Sequence, residues 1–335
     1  MTHLKYKNIH QTSINSLLTL NSNDNSDSYI LIDKRFLHID DKLEFELYVK
    51  DKLTQMSLFL QSDTIIDETK KKIIQELEQL YILDTQKDKY NDFKEEHLRS
   101  IVSDETLSID EKTEVIYTTT TDLTDSLYNN PNALKNVQLS KKIVTPILES
   151  ILHNNNTIAS YIKIIEFDYY THTHSLNVSI YTLCLGERLG LDKELLKHLG
   201  QAALLHDLGK SKINKNIINK NSQLANDEFE QMKTHPALGF DIASSIGIKN
   251  KDILDGIRHH HEKLNGRGYP DHLKGDEISL FPRIIGVCDI FDALTTRRSY
   301  KAAMKSYDAL MLMRTHMSTH IDMDILSNFI KMLHK

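Results

Sequence analysis

His206 and Asp207 stand side by side after the apolar run 202–205, which reads as a buried helix. A histidine and a carboxylate in such a place are costly without a partner. Alone, the pair reads as a salt-bridged helix end with Gly209 as its cap. Other residues of the same types change that reading. His174 opens a segment carrying Val178, Ile180, Leu183 and Leu185, and His235 precedes Pro236, which suits a helix start or a break. His259, His260 and His261 are consecutive, and Asp289 lies inside the apolar run 284–290. Separate helical segments thus each present a His or Asp beside apolar sequence, with no cysteine among them. Nitrogen and carboxylate ligands projecting from several helices build dinuclear metal sites. Six or seven such ligands are too many for one four-coordinate zinc and suit two metals. Spacing alone does not choose among the three consecutive histidines. His172 and His174 cannot both face one point, being about 200° apart on a helix.

Next to the triple histidine runs Asn265-Gly266-Arg267-Gly268-Tyr269-Pro270. Asn-Gly is a turn signal, Gly268 permits φ > 0 or a close backbone approach to a ligand, and Pro270 stiffens the exit. Tyr269 is placed to stack on a ligand or hydrogen-bond to it. Lys210, Arg297, Arg298 and Lys301 supply positive charge for a phosphate group in a chain of formal charge −6.

The elements that must hold these groups lie in the second half. All 11 glycines fall from Gly186 onward, and 12 of the 17 histidines from His172 onward. Residues 104–128 read as a helix despite the poor helix formers Thr118–Thr121, Asn129-Asn130-Pro131 as its stop, and 139–153 as a helix with Ile143, Ile147, Ile151 and Leu152 on one side. From there on the pattern predicts helices joined by short loops, an all-α bundle. Residues 1–103 read as a small α+β domain with a sensing or interaction role. Residues 1–28 are polar, and the Asn/Asp/Ser stretch 21–28 reads as a loop or a disordered segment. Strands fall at 29–32, 35–39 and 45–49, a helix at 67–80, and a returning strand at 81–83. The charge gives no reason to expect a nucleic-acid polymer as partner. No apolar stretch is long enough to span a bilayer, and the N-terminus lacks a signal-peptide core. Cys184 and Cys288 read as buried thiols. A reducing cytoplasm is the expected location.

Together the motifs His174-Ser175, His206-Asp207-Leu208-Gly209-Lys210, His235-Pro236, His260-His261-Glu262, Gly266-Arg267-Gly268-Tyr269-Pro270, Asp289 with Phe291-Asp292-Ala293-Leu294, and Arg298-Ser299-Tyr300-Lys301 resemble the HD-GYP family of cyclic di-GMP phosphodiesterases. The resemblance covers 104–335. It implies an all-α catalytic domain with a centre of iron or manganese, hydrolysing cyclic di-GMP to pGpG or on to GMP. By position, His174, His206, Asp207 and Asp289 would hold one metal. Asp207 would bridge to a second, held by His235, His260 and His261, leaving His259 a bystander. Gly268, Tyr269 and Pro270 would shape the substrate loop, and Arg298 and Lys301 would contact phosphate or guanine. Tyr170 stands where members with a third metal carry Glu, which implies two metals. Asn265, Arg297 and Ser299 depart from the family's usual residues without removing a ligand.

The expected reaction is phosphodiester hydrolysis by a hydroxide activated between two metals about 3.5–4 Å apart. Lys210 would stabilise charge, and Lys210 or Asp292 would protonate the leaving oxygen. The rivals are a catalytically silent receptor for cyclic di-GMP or a protein, and an HD phosphohydrolase acting on another nucleotide. A homodimer through 104–128 and a regulatory partner for 1–103 complete the expectations.

Overall fold

The computed structural model describes residues 28–50, 55–154, 156–167, 173–220, 222–296 and 303–334. The expectations for the N-terminal loop up to residue 27 and for Tyr170, His172, Arg297, Arg298, Ser299, Tyr300 and Lys301 lie outside the described residues. The chain divides into two compact units, the first ending at Ser103 and the second beginning at Asp104.

In the first unit, β1 (Tyr29–Ile32), β2 (Leu47–Lys50), β3 (Met56–Leu60) and β4 (Leu80–Leu83) form an antiparallel sheet of order β1-β4-β2-β3. The sheet carries α1 (Glu68–Glu76) and α2 (Lys87–Ser103). Phe45, fully buried, meets Tyr90 and Phe93 of α2 edge-on at 5.5 and 5.3 Å. The strand expected at 35–39 is not formed. Lys34–Phe36 is a 3-10 turn, because the Asp33 carboxylate accepts from Arg35 N and holds its guanidinium. The helix expected over 67–80 ends at Glu76, and Leu80 already belongs to β4.

The second unit is helical. The helix expected from 104 begins later, as α3 (Ile109–Asn129), where Ser108 and Glu111 close a capping box. The threonines survive within it by returning their hydroxyls to the preceding turn: Thr118 to Glu114 O, Thr120 to Ile116 O and Thr121 to Tyr117 O. The stop at Asn129-Asn130-Pro131 is observed, and the Asn136 amide donates to Asn130 O at 2.7 Å. There follow α4 (Asn136–His153), α5 (Thr157–Phe167), α6 (His174–Arg188) and α7 (Lys193–Leu205). Ile143, Ile147 and Ile151 of α4 are buried as expected, whereas Leu152 is exposed. A 3-10 turn, Leu208–Lys212, leads to the short α8 (Lys215–Ile218), α9 (Asn226–Met232), α10 (His235–Ser245) and α11 (Lys251–His259). The chain closes with α12 (Leu280–Thr295), α13 (Ser306–His316) and α14 (Met323–Leu333). Helix α7 packs on α6 and α11, α12 on α6 and α11, and α10 on α11 and the 3-10 turn. The segments bearing the His and Asp residues are therefore one packed set. Among the described residues, no helix is long and apolar enough to cross a membrane.

Candidate metal centre

Each of the selected histidines sits at a helix end. His174 is the first residue of α6, His206 follows α7, His235 opens α10, and His260 follows α11. Three of them repeat one local geometry. His206 Nδ1 lies 2.6 Å from Ala203 O, His235 Nδ1 2.7 Å from Met232 O, and His260 Nδ1 2.8 Å from Ile257 O. A helix leaves its last carbonyls without intrahelical donors, and each imidazole fills one of them. A carbonyl only accepts, so Nδ1 carries the proton and Nε2 presents a lone pair.

Those Nε2 atoms converge on carboxylates and on each other. His235 Nε2 is 3.2 Å from Asp207 Oδ1 and 3.3 Å from His260 Nε2. His206 Nε2 is 3.4 Å from Asp207 Oδ2, and His174 Nε2 is 3.1 Å from Asp289 Oδ1 and 3.5 Å from Asp207 Oδ2. Asp207 thus turns one oxygen toward His235 and the other toward His174 and His206. His261 Nδ1 is 3.8 Å from Asp289 Oδ2. The ligand atoms fall into two groups, His235/His260/His261 and His174/His206/Asp207, each within 4.8 Å of one another. The buried His174 Nε2, His206 Nε2 and Asp207 Oδ1 have no hydrogen-bond partner. The Nε2 lone pairs of His206, His235 and His260, facing Asp207 and each other at these distances, repel unless a cation lies between them. The set therefore fits divalent metal.

The electrostatics agree. Burial alone would raise Asp207, yet the Lys210 ammonium and His206 hold its carboxyl well below the usual range. Burial would raise Asp289 too, and His174 and His261 hold it low. Burial and neighbouring imidazoles push His260 down, and burial takes His261 down to about 3. Anionic carboxylates beside neutral imidazoles are the protonation states that ligate metal.

Asp292 was expected among the proton donors. It is fully buried, 2.6 Å from His174 Nδ1, and accepts from Thr296 Oγ1 at 3.1 Å. It sits where it would fix the orientation of the His174 ring. Gly209 is not a left-handed cap. A Cβ there would fall 1.9 Å from His235 O, so the glycine lets two ligand-bearing segments touch. Lys210 Nζ donates to Asp207 Oδ2 at 2.5 Å, leaving its side chain 30% exposed.

The glycine loop is held from behind. Gly266 takes φ +74, as its turn requires. At Gly268 a Cβ would come 2.4 Å from Glu262 Cα, so its close approach is to the chain's own backbone rather than to a ligand. Glu262 Oε1 accepts from Asp271 N, and Asp271 takes a two-pronged bond from Arg258 at 2.7 and 2.8 Å. His259 lies between Asp255 and Asp271, turned away from the other histidines. Asp271 carries no signal in the sequence, since only the fold brings it to Arg258 and His259. Tyr269, joined to Pro270 by a cis peptide bond, sets its ring 4.8 Å from that of His261. A cavity of about 450 Å³ is lined by His261, Tyr269 and Asp289 together with Ile290, Leu294 and Ile321. That volume suits a small-molecule ligand.

A helical bundle carrying two His/Asp clusters at its helix ends defines a metal-binding helical domain. The HD domain family matches residues 149–325, more than half of the chain, and the chain belongs to that family. A cyclic di-GMP phosphodiesterase of Pseudomonas aeruginosa is 33% identical over 56% of this chain and 45% of its own length. The 3′3′-cGAMP-specific phosphodiesterase 3 of Vibrio cholerae is 40% identical over 46% of this chain and 33% of its own length. The chain thus spans less than half the length of these curated relatives. Among solved structures, Bd1817, an HDG"Y"P protein from Bdellovibrio bacteriovorus, matches 92% of this chain and 100% of its own with a TM-score of 0.65. At 19% identity, that likeness shows the fold alone.

Proposed function

We propose that this chain is a metal-dependent phosphodiesterase of the HD-GYP type that hydrolyses cyclic di-GMP to pGpG or GMP. The observation that carries the reading is the opposition of His235 Nε2 to His260 Nε2 and Asp207 Oδ1, at 3.3 and 3.2 Å, with both imidazoles protonated on their other nitrogen. His174, His206, Asp207 and Asp289 would hold one metal and His235, His260 and His261 the other, with iron or manganese suited to this nitrogen and oxygen set. Bound there, such ions supply Lewis acidity and a nucleophile at neutral pH. The chain does the rest. Lys210 keeps Asp207 ionised and presents an ammonium toward phosphate oxygens. Tyr269 and the apolar lining of the cavity receive a base. The leaving oxygen takes its proton from Lys210 or from water. Arg298 and Lys301 serve as further phosphate or guanine contacts.

A second substrate reading has one specific support: the 40% identical relative is named for 3′3′-cGAMP. Purified protein loaded with Mn(II), or with Fe(II) under anaerobic conditions, is incubated with each dinucleotide and the products are chromatographed. Release of pGpG or GMP from cyclic di-GMP is expected. Faster turnover of 3′3′-cGAMP would select the second reading, and binding without turnover would make the domain a receptor.

The first unit is proposed to bind a regulatory partner, and the protein to work in the cytoplasm. A homodimer through 104–128 would have to use the exposed face of α3, because Val115, Ile116 and Leu127 are buried. A sedimentation mass twice that of the chain checks it.

A further inference from the structure

Helix α3 carries no proposed ligand, yet it reaches toward the ligand turns with the buried Tyr117 and the half-buried Tyr128. Tyr117 and Tyr128 are eleven residues apart. That is close to three turns of about 3.6 residues, so they share a face. The Tyr117 hydroxyl donates to Asn177 Oδ1 at 2.8 Å. The Tyr128 oxygen lies 2.8 Å from both Ser175 Oγ and Leu204 O. A phenol has one proton and a carbonyl only accepts. Tyr128 therefore donates to Leu204 O, and the Ser175 hydroxyl donates to Tyr128. Ser175 is the neighbour of His174, and Leu204 stands two residues before His206. One phenolic oxygen thus ties the start of α6 to the end of α7.

We infer that Tyr128, seconded by Tyr117, is a positioning residue that sets the spacing between the ligand turns at His174 and at His206–Asp207. The inference rests on the metal-binding reading of those ligands. The carbonyl it uses is the neighbour of the one that fixes His206: Ala203 O takes His206 Nδ1, and Leu204 O takes the phenol. The end of α7 is thereby fixed both in the orientation of its imidazole and in its distance from α6. Movement of α3 along its axis would pull on both ligand turns at once.

The test uses Mn(II) alone as the probe. Its dissociation constant is measured by competition with a chelator, and its EPR spectrum is recorded, for the full chain and three variants: Tyr128→Phe, Tyr117→Phe/Tyr128→Phe and Tyr161→Phe. Tyr161 is the control, because it is fully buried and its hydroxyl meets Ser150 Oγ at 2.9 Å, away from every ligand turn. Melting temperatures of the metal-free proteins are compared alongside. Tyr128→Phe should weaken Mn(II) binding about three- to tenfold, the range for losing one hydrogen bond behind a ligand. The double variant should weaken it further and alter the EPR spectrum. Tyr161→Phe should lower the melting temperature with the Mn(II) constant unchanged. Equal Mn(II) constants in wild type and Tyr128→Phe would overturn the inference, as would equal weakening by Tyr161→Phe. Failure of the wild type to take up Mn(II) would overturn the metal reading and the inference with it.

Discussion

His174 is held differently from the other histidines, by the Asp292 carboxylate at Nδ1 and the Asp289 carboxylate at Nε2. Burial alone would lower it, but the two carboxylates outweigh burial and raise it to about 9. Without metal, then, the ring keeps its second proton at neutral pH, and metal binding must displace it. Two results are expected. Calorimetry at pH 7.5 in buffers of different ionisation enthalpy should show about one proton released by this ring. Metal affinity should climb as pH rises toward 9 and flatten beyond it, since a raised group competes below its folded value and not above it. His206→Ala and Asp207→Ala should abolish both metal loading and hydrolysis, because each removes a proposed ligand and Asp207 faces both clusters. Full activity in either purified variant would remove the assignment. The types of these residues were legible in the sequence, since His and Asp beside apolar runs are conspicuous. The role of Asp292 was not, because nothing in its neighbourhood reveals that His174, 118 positions earlier, lies against it.

Among the elements, the tight contact of the 3-10 turn Leu208–Lys212 with α10 is the most sensitive. Gly209→Ala would place a methyl group against His235 O and Gly239 N, both backbone atoms. A loss of about 1–3 kcal/mol is expected from such overpacking, together with reduced metal loading; urea unfolding and metal analysis measure both. Gly268→Ala presses instead on the backbone of Glu262 and Lys263, so it should raise KM while metal content is kept. In the first unit, His97 Nε2 lies 3.0 Å from an Asp41 oxygen and ties α2 to the segment before β2. The hydrogen bond to Asp41 raises His97, and although burial would raise Asp41, the bond to His97 lowers it. The histidine's contribution is lost as pH rises through its raised value, and the carboxylate's as pH falls through its lowered one. Protection factors of α2 amides should therefore peak between about pH 4 and 6.5, the unperturbed values of the two groups. Helical segments such as α4 were legible from their apolar spacing. The turn at Lys34–Phe36 was misread as a strand because one side-chain bond from Asp33 overrode its apolar pattern. Strand β3 was missed because the alternation in Met56–Leu60 breaks off after Leu58.

At the scale of the molecule, the glycines and most of the histidines fall in one compact unit, although that unit begins at Asp104, well before the first glycine, Gly186. Every described proposed ligand lies in the unit that begins at Asp104. Residues 104–335 expressed alone should therefore load the same metal per chain as the full protein, as metal analysis after gel filtration would show. The apolar spacing of the sequence indicates helices but not how they cross. Contacts such as Tyr128 with Leu204 join residues 76 positions apart. No local period encodes such a distance.

The three imidazoles anchored on Ala203, Met232 and Ile257 draw their tautomers from main-chain oxygens. Every amino acid has that oxygen, so these positions can drift in sequence without unsettling the rings they hold. His174 depends on a carboxylate that a single codon change can delete. A library randomised at these four supporting positions should return many residue types at 203, 232 and 257, limited only by size and polarity, and close to one at 292.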